Sequence, residues 1–170
     1  MGPAGPAETQ RPLAGARVLV VEDNFIILSG LEMVFAEAGA EVIVSRTVPD
    51  ALVKADARVS VAVLDVAIGS HSAKPVIARL AERGVPFMFY TGKLGTDELL
   101  AAWPGHKVVT KPTDAKTLVA AVAALLSEKR TERRGLASAM AGFLMRRAAE
   151  LLVKMRRKEP APKGRKPTSL

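Results

Sequence analysis

The chain has 170 residues, with 25 Lys and Arg against 17 Asp and Glu, two histidines and no cysteine. This length suits one ordinary domain with an appendage. The absence of cysteine excludes a disulfide framework, a thiolate nucleophile and a Cys-type zinc site, and His71 and His106 stand too far apart to make a ligand spacing, so a carboxylate site for Mg²⁺ or Ca²⁺ is the metal chemistry left open.

The formal charge of +8 is unevenly spread: residues 1–127 carry 12 Lys and Arg against 13 Asp and Glu, whereas residues 128–170 carry 13 against 4. The pattern is that of a near-neutral domain bearing a basic arm. No apolar run approaches membrane-spanning length. Met1–Pro12 has no apolar core of the kind a signal peptide needs, so residues 1–15 are expected to be a disordered lead-in and the protein to be cytoplasmic.

Arg17–Val21 is a short valine-rich strand ending in Glu22 and Asp23. Asn24 is placed to cap a helix to about Ala38, with Ile27, Leu31, Val34 and Phe35 at helical spacing and Gly39 as the stop. Glu41–Ser45 reads as a second strand, and Thr47 with Pro49 as the start of a second helix. Val59–Leu64 is dense in valine and ends in Asp65, the pattern of a strand buried on both faces. A Gly- and Ser-containing loop from Val66 to Lys74, expected to be mobile and solvated, leads to a third helix opened by Pro75 and ended by Gly84. Pro86–Tyr90 is a fourth strand running into Thr91. A short helix capped by Thr96 stops near Trp103, where packing is the expected role of the indole. Lys107–Thr110 is a fifth strand followed by Lys111-Pro112, and Thr113 or Asp114 caps a last helix with Leu118, Val119, Val122 and Leu125 on its apolar face. Strands alternating with helices argue for a doubly wound parallel sheet.

In such a sheet all strand ends of one sense lie on one edge, where ligands collect. Glu22, Asp23, Asp65, Thr91 and Lys111 are therefore brought together. Three carboxylates repel one another without a cation, and Mg²⁺ fits an all-oxygen set. A cation, a nucleophilic carboxylate, a hydroxyl and an ammonium together suit a phosphoryl group.

This succession of an acidic pair, Asp, Thr and Lys-Pro at strand ends resembles the response-regulator receiver domain of two-component signalling, over roughly residues 17–126. The resemblance implies a flavodoxin-like α/β fold with sheet order 2-1-3-4-5, Asp65 as phosphoacceptor, and Mg²⁺ held by Glu22, Asp23, Asp65 and the Ala67 carbonyl. It implies Thr91 as switch hydroxyl, Lys111 on the phosphoryl oxygens and a cis bond before Pro112. The partner would be a histidine kinase or histidine phosphotransfer protein, and the domain would catalyse only its own phosphorylation and dephosphorylation. Phe89-Tyr90-Thr91-Gly92, preceded by Val85-Pro86, is similar to the Phe-Ala-Thr-Gly motif of the stand-alone FAT GUY receivers of alphaproteobacterial stress signalling. The chain departs from the common pattern at Val108, where receivers place an aromatic residue, and at Gly69, where many have proline. A metal-dependent phosphatase on a similar fold is the competing enzymatic reading.

Beyond Glu128 the composition changes. Glu128–Arg134 is charged, Gly135 is expected to break the helix, and residues 136–158 place Leu136, Met140, Phe143, Leu144, Leu151, Leu152 and Met155 on one face. The expected divisions are a receiver over 16–127, a basic amphipathic helix over 128–159 and a disordered basic tail over 160–170. The helix has four candidate partners: a second copy in a homodimer, the receiver itself, another protein, or an anionic membrane or nucleic acid. A solvated basic extension is the bland alternative.

Overall fold

The computed structural model describes residues 11–92 and 101–156, with side-chain exposure described as far as residue 147. The chain divides into two units, residues 1–129 and 130–170.

In the first unit five parallel strands form one sheet: β1 (Arg17–Val21), β2 (Glu41–Ser45), β3 (Val61–Leu64), β6 (Phe87–Thr91) and β7 (Lys107–Thr110), in the order β2-β1-β3-β6-β7. This is the expected 2-1-3-4-5 arrangement. The register aligns Val20 with Val44 on one side and Val63 on the other. All four residues of β3 are buried, as a central strand covered on both faces requires.

The two-residue period of the strands divides the core. Val18, Val20, Val61, Val63, Met88 and Tyr90 point to one face, where they pack with Leu28, Leu31 and Phe35 of α1 (Phe25–Glu37) and with Leu118, Ala121 and Val122 of α4 (Ala115–Arg156). Leu19, Val21, Ala62, Leu64, Phe87 and Phe89 point to the other, against Ala51 and Ala55 of α2 (Val48–Ala55) and Val76, Ile77 and Leu80 of α3 (Lys74–Glu82). Each fully buried side chain of this size contributes about 1.5–3 kcal/mol.

The helix starts follow from side-chain chemistry. Asn24 accepts hydrogen bonds from the amides of Ile26 and Ile27, Thr47 from that of Asp50, and Asp114 from that of Thr117, each satisfying a first-turn donor. Gly39 ends α1 at φ +95°, and a Cβ there would lie 2.8 Å from Cβ of Arg11. The helix expected from Thr96 falls on residues outside the described ones up to residue 100. Trp103 packs edge-on to Phe87 at 5.7 Å, beside His106 stacked on Phe87 at 4.3 Å.

Three expectations are corrected. The ordered unit begins before residue 16, because Leu13 is buried in the first core and its amide donates to Ala38 O. The loop after Asp65 is a small antiparallel hairpin, β4 (Ala67–Ile68) with β5 (His71–Ser72), anchored by buried Ile68 and Ala73; an alternation too short to stand out carries it. Gly135 does not break the last helix, since α4 runs through it to Arg156. One interior glycine costs about 1 kcal/mol relative to Ala, which good helix formers on both sides outweigh.

In the second unit, residues 130–147 are exposed throughout, including Leu136, Met140, Phe143, Leu144 and Met145. No helix among the described residues is long and apolar enough to cross a membrane.

Candidate functional site

The carboxyl edge of the sheet gathers the polar ends of four strands. Glu22 and Asp23 follow β1, Asp65 follows β3, Thr91 closes β6 and Lys111 follows β7. β1 and β3 are neighbours, so their carboxylates meet: Glu22, Asp23 and Asp65 each present a ligand oxygen within 4.8 Å of the others. Glu22 is buried, and Asp23 and Asp65 are partly exposed.

Lys111 reaches across from the far strand. Its Nζ donates to Glu22 Oε2 and to Asp65 Oδ2, forming ion pairs with both, and lies 5.4 Å from the centre of the Tyr90 ring. Its amide donates to Thr91 O at 2.9 Å, and the peptide bond to Pro112 is cis. Three of the other carboxylate oxygens, one on each residue, have backbone donors. Asp65 Oδ1 accepts from Val66 N at 2.6 Å and Glu22 Oε1 from Asn24 N at 3.2 Å. Asp23 Oδ2 accepts from Gly69 N at 2.9 Å.

These contacts set the proton equilibria. Burial raises the pKa of Glu22, and the negative charge of Asp65 adds to that; the hydrogen bond and charge of Lys111 oppose both without cancelling them. For Lys111, burial works against the charged form, but hydrogen bonds to Asp65 and Glu22 outweigh it and the pKa is raised. At neutral pH Lys111 is therefore a fixed ammonium held between two carboxylates.

The donor set fits a hard divalent cation. One ammonium beside three carboxylates leaves the cluster acidic, all candidate ligands are oxygen, and part of the site is open to water, as Mg²⁺ with retained waters needs. Ala67, two residues past Asp65, opens the hairpin beside the cluster.

Thr91 is buried at the end of β6 on the same sheet edge. His71 is exposed at the hairpin, as expected of a surface residue. Sequence reasoning missed two groups. Gly69 N–H had no side chain to signal it. Arg46 donates from Nε and Nη2 to the Asp23 carbonyl at 3.1 and 3.0 Å; its place just past the end of β2, beside β1, was the available signal.

Comparison with known proteins agrees on the architecture. The structure is similar to a CheY-like response regulator receiver domain from Methanospirillum hungatei, with TM-score 0.63 and 20% identity over 69% of this chain and 98% of that one. It is similar also to the chemotaxis protein CheY4 of Vibrio cholerae, with TM-score 0.59 and 24% identity over 66% and 99%. A fusion carrying the trimeric coiled coil of yeast Spc42 matches 85% of this chain and 96% of its own, with TM-score 0.67 and 17% identity. No protein-family model matches the chain, and no curated protein matches it. The fold is that of the response regulator receiver domains.

Proposed function

We propose that the chain is a phosphoacceptor response regulator, phosphorylated on Asp65 by a histidine kinase or histidine phosphotransfer protein. The observation that supports this best is the grouping of Lys111, Asp65 and the Glu22–Asp23 pair at the carboxyl edge of a receiver fold.

Glu22, Asp23, Asp65 and the Ala67 carbonyl would hold Mg²⁺, which when bound offsets charge on the phosphoryl oxygens. Val66 N–H and Lys111 fix the Asp65 carboxylate. One of its oxygens attacks phosphorus, the P–N bond to the donor imidazole breaks, and an acyl phosphate forms. Lys111 then stays as the cation facing the added charge. Thr91, at the end of the neighbouring strand, is the hydroxyl placed to report the change through β6. Water attack on phosphorus breaks the P–O bond to Asp65, releases inorganic phosphate and returns the free carboxylate. The domain thus acts on itself and does not turn over a separate substrate. The Phe89-Tyr90-Thr91-Gly92 run supports placing it with the stand-alone FAT GUY receivers.

Output runs through protein contact or by draining phosphate from a relay. The arm supports a second reading, that of a receiver-gated basic adaptor binding nucleic acid or an anionic membrane, beside the simpler alternatives of a second copy or a partner protein on the same helix. Leu136, Met140, Phe143 and Leu144 are exposed among Arg130, Arg133, Arg134, Arg146 and Arg147, a surface suited to a second copy, a partner protein, an anionic membrane or nucleic acid. The likeness to a chain fused to a trimeric coiled coil favours self-association among these.

Transfer from a phosphorylated histidine phosphotransfer protein, followed by borohydride trapping and peptide mapping, tests the main reading; the expected modification is on Asp65. Repeated turnover of p-nitrophenyl phosphate would overturn it in favour of a phosphatase. Deleting residues 136–170 is expected to leave phosphorylation intact; concurrent loss of polyanion binding would favour the adaptor.

A further inference from the structure

The hairpin that follows Asp65 reaches back to β1. Gly69 N–H donates to Oδ2 of Asp23 at 2.9 Å, joining residues 46 positions apart. The donor sits in a defined turn. Gly69 and Ser70 link β4 to β5, Gly69 has φ +61°, and among the described residues, Ser70 included, no non-glycine residue has positive φ, which is the pattern of a type II′ turn with glycine first. Buried Ile68 and Ala73 fix the hairpin to the core, and Ala73 N closes it on Val66 O at 3.4 Å. Arg46 meanwhile holds the Asp23 carbonyl. Asp23 is thus gripped at its backbone by Arg46 and at its carboxylate by Gly69, in the cluster with Glu22 and Asp65.

We infer that Gly69 is a positioning residue for the cation site: its N–H fixes the rotation of the Asp23 carboxylate, so the β4–β5 hairpin sets the affinity of the acidic cluster for a divalent cation. The inference rests on the reading that Glu22, Asp23 and Asp65 hold Mg²⁺. The donated hydrogen bond also offsets part of the negative charge that the three carboxylates bring together. Partners that orient metal ligands in this way typically govern affinity by about 10–100-fold. Linkage makes the effect reciprocal: if an ordered hairpin strengthens cation binding, the cation orders the hairpin by the same factor. The segment just after the phosphoacceptor then becomes a surface whose order reports the state of the site.

The backbone allows a clean contrast. Proline at 69 has no N–H and cannot adopt φ +61°. Asparagine keeps the N–H and is among the side-chain-bearing residues that adopt positive φ at least cost, at some backbone strain; a Cβ at this position meets nothing within 4 Å.

The test is calorimetric titration of the full chain with Mg²⁺, in wild type, Gly69→Pro, Gly69→Asn, Asp23→Ala and the Asp23→Ala/Gly69→Pro double variant. Amide hydrogen exchange over residues 66–73, with and without Mg²⁺, is read alongside in wild type and Asp23→Ala. The expected result is roughly tenfold weaker binding for Gly69→Pro, a clearly smaller loss for Gly69→Asn and no further loss when Gly69→Pro is added to Asp23→Ala. Exchange in the hairpin should slow with Mg²⁺ in wild type and not in Asp23→Ala. Unchanged affinity in Gly69→Pro, a loss of equal size in Gly69→Asn, or hairpin exchange indifferent to Mg²⁺ would overturn the positioning role and leave the cation site standing. Absence of Mg²⁺ binding by wild type would overturn both.

Discussion

The two units treat the same kind of residue in opposite ways. Phe89 in the sheet is completely buried, between the packed side chains of α2, α3 and the neighbouring strands, whereas Phe143 in the arm is 58% exposed. Both segments are rich in apolar residues at regular spacing. In the first unit that spacing meets a complementary face supplied by the same chain, and the result is a fixed edge on which charges can be held. In residues 130–147 the apolar residues stand beside arginines with no cover of their own. A spacing pattern therefore says that a residue wants burial; whether the chain itself provides it depends on the partners the topology supplies.

The sharpest way to break this contrast is truncation of one residue from each unit. Phe89→Ala should cost about 3–5 kcal/mol by urea denaturation, and Phe143→Ala within about 0.5 kcal/mol. Equal losses would mean that the arm is packed in solution.

Next in size is Lys111→Met, measured with metal chelated. It removes the ammonium from the buried Glu22 and from Asp65, a change that typically costs about 3–5 kcal/mol when one partner of a buried pair is lost. Loss of the ammonium favours the protonated form of Glu22, because the hydrogen bond and charge of Lys111 are what lower its pKa. Its folded pKa, already above the ordinary 4.5 because of burial, rises further, so the folded state binds a proton more tightly than the unfolded one. Stability contributed by that proton is present below 4.5 and lost as pH rises through the folded value. The variant should therefore be more destabilised at pH 8 than at pH 5, and a loss independent of pH would contradict the pairing.

Saturating Mg²⁺ should stabilise wild type by about 2.7 kcal/mol at a hundred times its Kd, seen as a rise of several degrees in Tm. Asp23→Asn should remove much of the rise, whereas deletion of residues 136–170 should not alter it. An arm-dependent shift would erase the division of labour between the units.

Much of this division could be read in the sequence, for physical reasons specific to each residue. Strand ends were legible because apolar runs stop at charged or hydroxyl residues, so Glu22, Asp23, Asp65, Thr91 and Lys111 marked one edge once the strands were taken as parallel. Caps were legible because Asn24, Thr47 and Asp114 carry oxygens suited to first-turn amides. The Gly69 contact was not, because its donor is a backbone amide and its geometry depends on a turn set by one positive φ. Leu13 was hidden in a Gly- and Pro-rich context, and it is buried as part of the first core, with its amide bonded to Ala38 O just past α1. Gly135 misled because a helix of this length outweighs one unfavourable residue.

The smallest expected effect lies away from the site. Hydrogen bonds from Lys54 and from Ser45 lower the pKa of Asp50 below its ordinary 3.8, so this pairing contributes stability above 3.8 that is lost as pH falls through the folded value. Because the pair is well exposed, Asp50→Asn should cost no more than about 1 kcal/mol at neutral pH and nothing once wild-type Asp50 is protonated, as acid-denaturation curves of the two proteins would show.

The central claim is that Asp65 accepts a phosphoryl group, and intact-mass analysis after incubation with acetyl phosphate and Mg²⁺ tests it most directly. The account predicts one phosphoryl addition on wild type and none on Asp65→Ala. An unmodified wild type, with acetyl phosphate and with a panel of phosphorylated kinases alike, or an addition that persists in Asp65→Ala, would contradict it.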